Sequence, residues 1–180
     1  MKFAIGAAAF CAIISLSAPS SAANLVEIVL TDRLDEPRGY CLDIVGNKES
    51  ATPGRGLQAH SCYSYQGQLG VDQAFDAERL KAGEYYLPWF KVCLSSGSPQ
   101  EGAPLNLSAC DGQPAQRFDL TAAGQIVPRS APGLCVTVAD GRGAPGGGGR
   151  PVHLLRRLTL EPCSETHAAR QKWRLRAQAD

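Results

Sequence analysis

Apolar residues along this chain come in short runs separated by turn chemistry. Leu25 to Leu30 is a β-branched stretch, and Tyr40 to Val45 alternates apolar and polar positions as a half-buried strand does. Leu57 to Cys62, Gln73 to Leu80, Val92 to Leu94, Pro104 to Leu107, Gln116 to Leu120, Leu134 to Val138 and Gln171 to Leu175 read as further strands. Tyr85 to Phe90 and Gln125 to Pro128 open later segments. Between the runs lie Asp35-Glu36-Pro37-Arg38-Gly39, a Gly-, Pro-, Ser- and Asn-rich span from Gly46 to Gly56, Gly97-Ser98-Pro99 and Asp111-Gly112. No segment sustains a helical period, so the pattern predicts an all-β chain. Short strands at regular spacing mean a sandwich or a barrel.

The N-terminus is different. Lys2 precedes an apolar core from Phe3 to Leu16, followed by Ser20-Ser21-Ala22-Ala23. This is the form of a secretory signal over residues 1–23, with cleavage after Ala22 or Ala23. The apolar stretch is too short and poorly flanked for a membrane span. Phe10 before Cys11 is not the small residue that precedes a lipidated cysteine.

A set of landmarks recurs along the rest. Cys41-Leu42-Asp43 is followed by Gln58-Ala59-His60-Ser61-Cys62 and then Asp72-Gln73-Ala74-Phe75. Cys93-Leu94-Ser95 leads to Cys110 and Gln116-Arg117-Phe118, and Cys135-Val136-Thr137 leads to Cys163 and Gln171-Lys172-Trp173. Three copies, each roughly 40 to 55 residues long, fill the chain, and one copy cannot bury its own apolar face. Cysteine pairs followed by Gln-x-aromatic resemble the ricin B-type lectin domain. That resemblance runs from about residue 25 to about residue 176 and implies a β-trefoil, with residues 24–180 as one domain and repeats at about 25–80, 81–124 and 125–178. It also implies that Phe75, Phe118 and Trp173 form a central aromatic layer.

The cysteines add to this picture. Of seven, Cys11 lies in the N-terminal apolar run, leaving six. Six cysteines allow fifteen pairings; the repeat selects Cys41–Cys62, Cys93–Cys110 and Cys135–Cys163. Each such bridge contributes about 3 kcal/mol in the chain-entropy picture and needs an oxidising compartment, so the expected location is secreted or periplasmic. No Cys-x-x-Cys or His-x-x-x-His spacing suggests a metal, and no cofactor is expected. The net charge of +1 argues against a nucleic-acid partner. Basic clusters at Arg150, Arg156 and Arg157, and at Arg170, Lys172, Arg174 and Arg176, read as solvated faces.

Sugar sites of the ricin type need a carboxylate for two hydroxyls, an aromatic face for the apolar side of the sugar, and an amide to fix orientation. By resemblance only the first repeat supplies them: Asp43 at the acid position, Gln58, His60 at the aromatic position, and Asp72-Gln73 where the family has Asn-Gln. His60 is a smaller platform than tryptophan or tyrosine, and Asp72 has no amide donor; Tyr63 or Tyr65 are alternative rings. Ser95 and Ser108 in the second repeat, and Thr137, Glu161 and Arg170 in the third, depart from the pattern and read as structural. The Gly141–Gly149 run lacks the Gly-Lys-Ser/Thr of a phosphate loop and reads as a flexible hairpin tip. His60, His153 and His167 are scattered, and no nucleophile pattern occurs, so the chain reads as non-enzymatic.

The expected function is a secreted, lectin-like protein that binds a glycan or glycoconjugate through at most one working site, in the first repeat. The alternative is a non-catalytic trefoil subunit that binds a protein partner or cell surface, similar to the accessory subunits of cytolethal distending toxins. The long span from Gly141 to Leu160 and the degenerate second and third repeats favour that alternative.

Overall fold

A computed structural model describes residues 24–67 and 69–177; the proposed signal segment 1–23 lies outside them. Four strands form the first repeat: β1 (Leu25–Leu30), β2 (Tyr40–Ile44), β3 (Leu57–Ser61) and β4 (Phe75–Asp76), followed by a one-turn helix α1 (Ala77–Lys81). The second holds β5 (Tyr86–Leu87), β6 (Val92–Ser95), β7 (Asn106–Ala109) and β8 (Phe118–Leu120). The third holds β9 (Ile126–Pro128), β10 (Leu134–Val138), a short β11 (Ala144–Pro145), β12 (Leu154–Pro162), helix α2 (Ala168–Gln171) and β13 (Trp173–Arg176).

The two inner strands of each repeat make a hairpin: β2 with β3, β6 with β7, and β10 with β12. The outer strands join one another. β1 pairs with β4 and β13, β8 pairs with β9, and a bridge links Gln125 to Lys172. This is a three-fold β-trefoil, mostly β as the alternating pattern predicts. The two short helices depart from the all-β expectation. Asp76 caps α1, its carboxylate accepting from the N–H groups of Glu78 (2.9 Å) and Arg79 (3.1 Å); at five residues the helix is too short for its period to be seen in the sequence.

Phe75, Phe118 and Trp173 are buried at matching places, and Tyr85 stacks edge-on between the two phenylalanines, 6.4 Å from Phe75 and 5.6 Å from Phe118. Trp173 Nε1 donates to the Val136 carbonyl at 3.0 Å, which satisfies its buried polar end. Cys41–Cys62, Cys93–Cys110 and Cys135–Cys163 are bonded, one bridge in each repeat.

Strand β12 does more than complete its own hairpin. Its far end pairs with β3 of the first repeat, with Leu155 opposite His60 and Arg157 opposite Gln58, and β11 folds back on the same end. The long third-repeat span is therefore a wall laid against the first repeat. Two members of the basic clusters are not on solvated faces, although Arg150 and Arg157 are exposed as expected. Arg156 is buried, bonded to Asp35 at 2.6 Å, to the Tyr40 hydroxyl and to the Ala139 carbonyl. Arg176 donates to the buried Glu27 at 2.9 Å. Both arginines find carboxylates more than a hundred residues away, on neighbouring strands or turns, as buried charges must.

Candidate carbohydrate-binding site in the first repeat

The register of β2 against β3 sets Asp43 opposite Gln58 and Cys41 opposite His60. Asp43 receives an amide hydrogen on each oxygen, from Gln58 Nε2 and from Gln73 Nε2, both at 2.8 Å. Its side chain has no exposed surface, and β2 is buried along its whole length rather than half-buried. Burial, with the carboxylate of Asp72 nearby, pushes its pKa well above the ordinary range. Asp72 is buried as well. Its Oδ2 accepts from the Lys48 N–H at 2.5 Å, while Oδ1 has no hydrogen-bond partner among the described residues. Burial pushes the Asp72 pKa up to about 6.

Gln73 belongs to a clamp that all three repeats share. It accepts from the N–H of Tyr63 and donates to the Ser61 carbonyl, on either side of Cys62. Gln116 accepts from Asp111 N–H and donates to the Ala109 carbonyl; Gln171 accepts from Ser164 N–H and donates to the Pro162 carbonyl. The third partner differs between repeats. It is a carboxylate, Asp43, in the first, the Ser108 hydroxyl in the second and the Thr137 hydroxyl in the third. The glutamine of Gln-x-aromatic thus holds the fold, and the acid makes the first repeat distinct.

His60 lies over this network. Its Nδ1 sits 2.8 Å from the Ser61 carbonyl and 3.3 Å from Gln73 Nε2. Both amide hydrogens of Gln73 already go to Asp43 and Ser61, so Nδ1 carries the proton and Nε2 is left as an acceptor. Burial pushes the His60 pKa down to about 4, so the ring is neutral. Nor is it isolated. The rings of His60, Tyr63 and His153 meet in a triangle with centroids 5.0, 5.1 and 5.3 Å apart. His60 and His153, read as scattered, are thus neighbours, while His167 lies apart beside Arg157 and Arg170. His153 precedes Leu155 by two residues, and the β12–β3 register carries it to His60; nothing local in the sequence signals this. The Tyr65 side chain is not among those described.

These rings line a pocket of about 380 Å³, within the size range of small-molecule sites. The span around Gly46, Asn47 and Lys48 forms one part of its lining, and the tip of the β11–β12 hairpin, Gly146 to Pro151, forms another. Lys48 Nζ stands 5.4 Å from the Tyr63 ring centroid. Of the five sequence-predicted residues, His60 lines the pocket, and Asp43, Gln58, Gln73 and Asp72 form the bonded layer around and beneath it. The sequence reading missed Lys48, Arg150, His153 and the glycine-rich tip.

Family comparison bears on this arrangement. The sequence profile of the ricin-type beta-trefoil lectin domain matches residues 33–146 and 90–180. The chain belongs to that family. No curated protein sequence matches it. Among solved structures, the β-trefoil lectin of the Vibrio vulnificus hemolysin/cytolysin, with N-acetyl-D-lactosamine bound, is 17% identical with a TM-score of 0.56, over 89% of this chain and 98% of that one. A designed three-fold symmetric protein, ThreeFoil, is 18% identical (TM-score 0.58), over 85% of this chain and 98% of its own. The C-terminal domain of an earthworm lectin, a mutant in complex with 6'-sialyllactose, is 14% identical (TM-score 0.55), over 84% and 97%. At such identities the likeness concerns the trefoil. Among the described residues no helix is long and apolar enough to cross a membrane.

Proposed function

We propose that this ricin-type domain is a carbohydrate-binding protein with one working site, in the first repeat, and that it acts by binding rather than by catalysis. One observation supports this above the others. The single repeat with an acid in its glutamine clamp is also the repeat where three rings and a polar loop enclose a pocket. The His60, Tyr63 and His153 rings offer the apolar surface that a sugar face needs, and His60 Nε2 accepts a hydroxyl hydrogen. Asp43 anchors the amides of Gln58 and Gln73 from beneath and sets the height of the His60 ring. Asp72 holds the Lys48 loop. Neighbouring trefoils solved with N-acetyl-D-lactosamine and with 6'-sialyllactose support a saccharide as the ligand class. The third-repeat extension, which would favour a protein partner if it stood free, is instead paired with β3. Three disulfides fit a secreted or periplasmic setting.

The test is a glycan array on the oxidised protein, followed by titration of a positive glycan. Asp43→Asn turns an amide N–H toward a glutamine N–H that the carboxylate accepted, which disturbs the clamp beneath His60. A buried donor left unpaired costs about 1–3 kcal/mol, so Asp43→Asn is expected to weaken binding about tenfold or more through the displaced His60 ring, and Tyr63→Ala and His60→Ala to weaken it too. Ser95→Ala and Thr137→Ala are expected to bind as wild type. A folded Asp43→Asn protein with unchanged affinity would overturn the site assignment.

A further inference from the structure

The charge of this pocket is one-sided. Lys48 and Arg150 line it from two different loops, and no lining residue is acidic. Several other cations of the protein are paired closely with acids: Arg38 with Glu36, Arg79 with Glu84, Arg129 with Asp119, Arg156 with Asp35, Lys172 with Glu165 and Arg176 with Glu27. Among the described residues the side chains of Lys48 and Arg150 have no carboxylate partner. Of the acids around it, Asp43 and Asp72 are buried beneath the pocket and Glu36 is paired with Arg38, while Glu49 lies next to Lys48 outside the lining.

The backbone at Lys48 is also unusual, as it is at Leu34 and Lys91 outside the pocket. Its φ is 46°, in the left-handed region that non-glycine residues seldom occupy. Such a conformation persists only where the surroundings impose it, and it concentrates at ligand-binding places. Here the buried Asp72 carboxylate accepts the Lys48 N–H. The Lys48 ammonium stands over the Tyr63 ring. The imidazoles add no fixed charge, since burial holds both His60 and His153 below their ordinary pKa.

Given the first-repeat sugar site proposed above, on which this step rests, we infer that its ligand is an acidic saccharide carrying a carboxylate or a sulfate. Lys48 and Arg150 receive the anion, and the neutral rings of His60, Tyr63 and His153 receive the sugar face. Lys48 is half-buried beside the Tyr63 ring and Arg150 is exposed at the hairpin tip, so the contact is charge-assisted and sensitive to salt.

The experiment uses the oxidised protein on an array that pairs neutral galactosides with their sialylated, uronic-acid and 6-sulfated counterparts. At about 50 mM NaCl the acidic members are expected to bind roughly tenfold or more tightly than their neutral parents, and the gap is expected to shrink at about 0.5 M. Lys48→Met and Arg150→Met each lower affinity for the acidic member about tenfold, whereas Arg33→Met, at a distant exposed cation, leaves it unchanged. Comparison of the carboxylate and sulfate arms then separates the two anions. If neutral parents bind as tightly as acidic ones and Asp43→Asn still abolishes that binding, the charge inference falls and the sugar site stands. If no saccharide of either kind binds, both fall.

Discussion

The buried acid Asp72 makes a quantitative claim about stability. It occupies the place where the family motif has asparagine, has no exposed surface, and keeps one oxygen without a partner among the described residues. Burial lifts its pKa from an ordinary 3.8 to about 6. In the folded protein the protonated form is therefore favoured. Between about pH 4 and pH 6 the native state holds more protons than the unfolded chain, so stability falls as pH rises through that window and stays low above it. A displacement of roughly two pH units is worth about 3 kcal/mol. Asp72→Asn keeps an acceptor for the Lys48 N–H, removes the buried charge and relieves Asp43 of a like-charged neighbour. The variant is expected to be about 2 kcal/mol more stable than wild type near pH 7.5, allowing part of the ~3 kcal/mol for partial solvation. Near pH 4.5 the gain should shrink to under about 1 kcal/mol. Asp35 and Glu36 titrate the other way, since bonds to Gly143, Arg156 and Tyr40, and to Arg38 and Ser61, outweigh their burial and hold them below the ordinary range. Their contribution is lost only as pH falls further, and it is common to both proteins. Urea unfolding at the two pH values, with disulfides intact, measures the difference. A stability difference that is the same at both pH values, or that favours wild type near pH 7.5, would refute the reasoning.

Truncating the aromatic layer is expected to be costly: Phe75→Ala, Phe118→Ala and Trp173→Ala should each lose about 3–5 kcal/mol in the same unfolding assay. An unchanged midpoint for any of them would remove that residue from the core. Arg156→Met leaves Asp35 without its guanidinium partner. The expected loss is about 2–3 kcal/mol, less than for a fully buried pair because the Asp35 side chain is still 26% exposed. Asp35→Asn in the Arg156→Met background should recover part of it, and a double variant no better than the single would show that the pair is not the cause.

Much of the architecture is determined by the sequence alone, because a trefoil repeats its instructions. Each repeat carries a cysteine pair, a Gln-x-aromatic close and turn residues at similar offsets, so the pairing of bridges and the places of Phe75, Phe118 and Trp173 follow from comparing the chain with itself. The choice of the first repeat rests on the same comparison, since Asp43 has no acidic counterpart at Ser95 or Thr137. The enclosure of the pocket was not legible, since it depends on a contact between repeats. Strand β12 runs past its own hairpin and pairs with β3, and that register alone brings His153 to His60 and the glycine-rich tip over Tyr63. The burial of Arg156 and Arg176 has the same origin: their carboxylates lie 121 and 149 residues away, and only closure of the sheet makes them neighbours. Period-two patterning tells which face of a strand is apolar, but not which strand covers it. Thus Asp43 and Asp72 read as polar positions open to a ligand, while tertiary packing shut both away and left the rings of His60, Tyr63 and His153 with Lys48 and Arg150 lining the pocket above them.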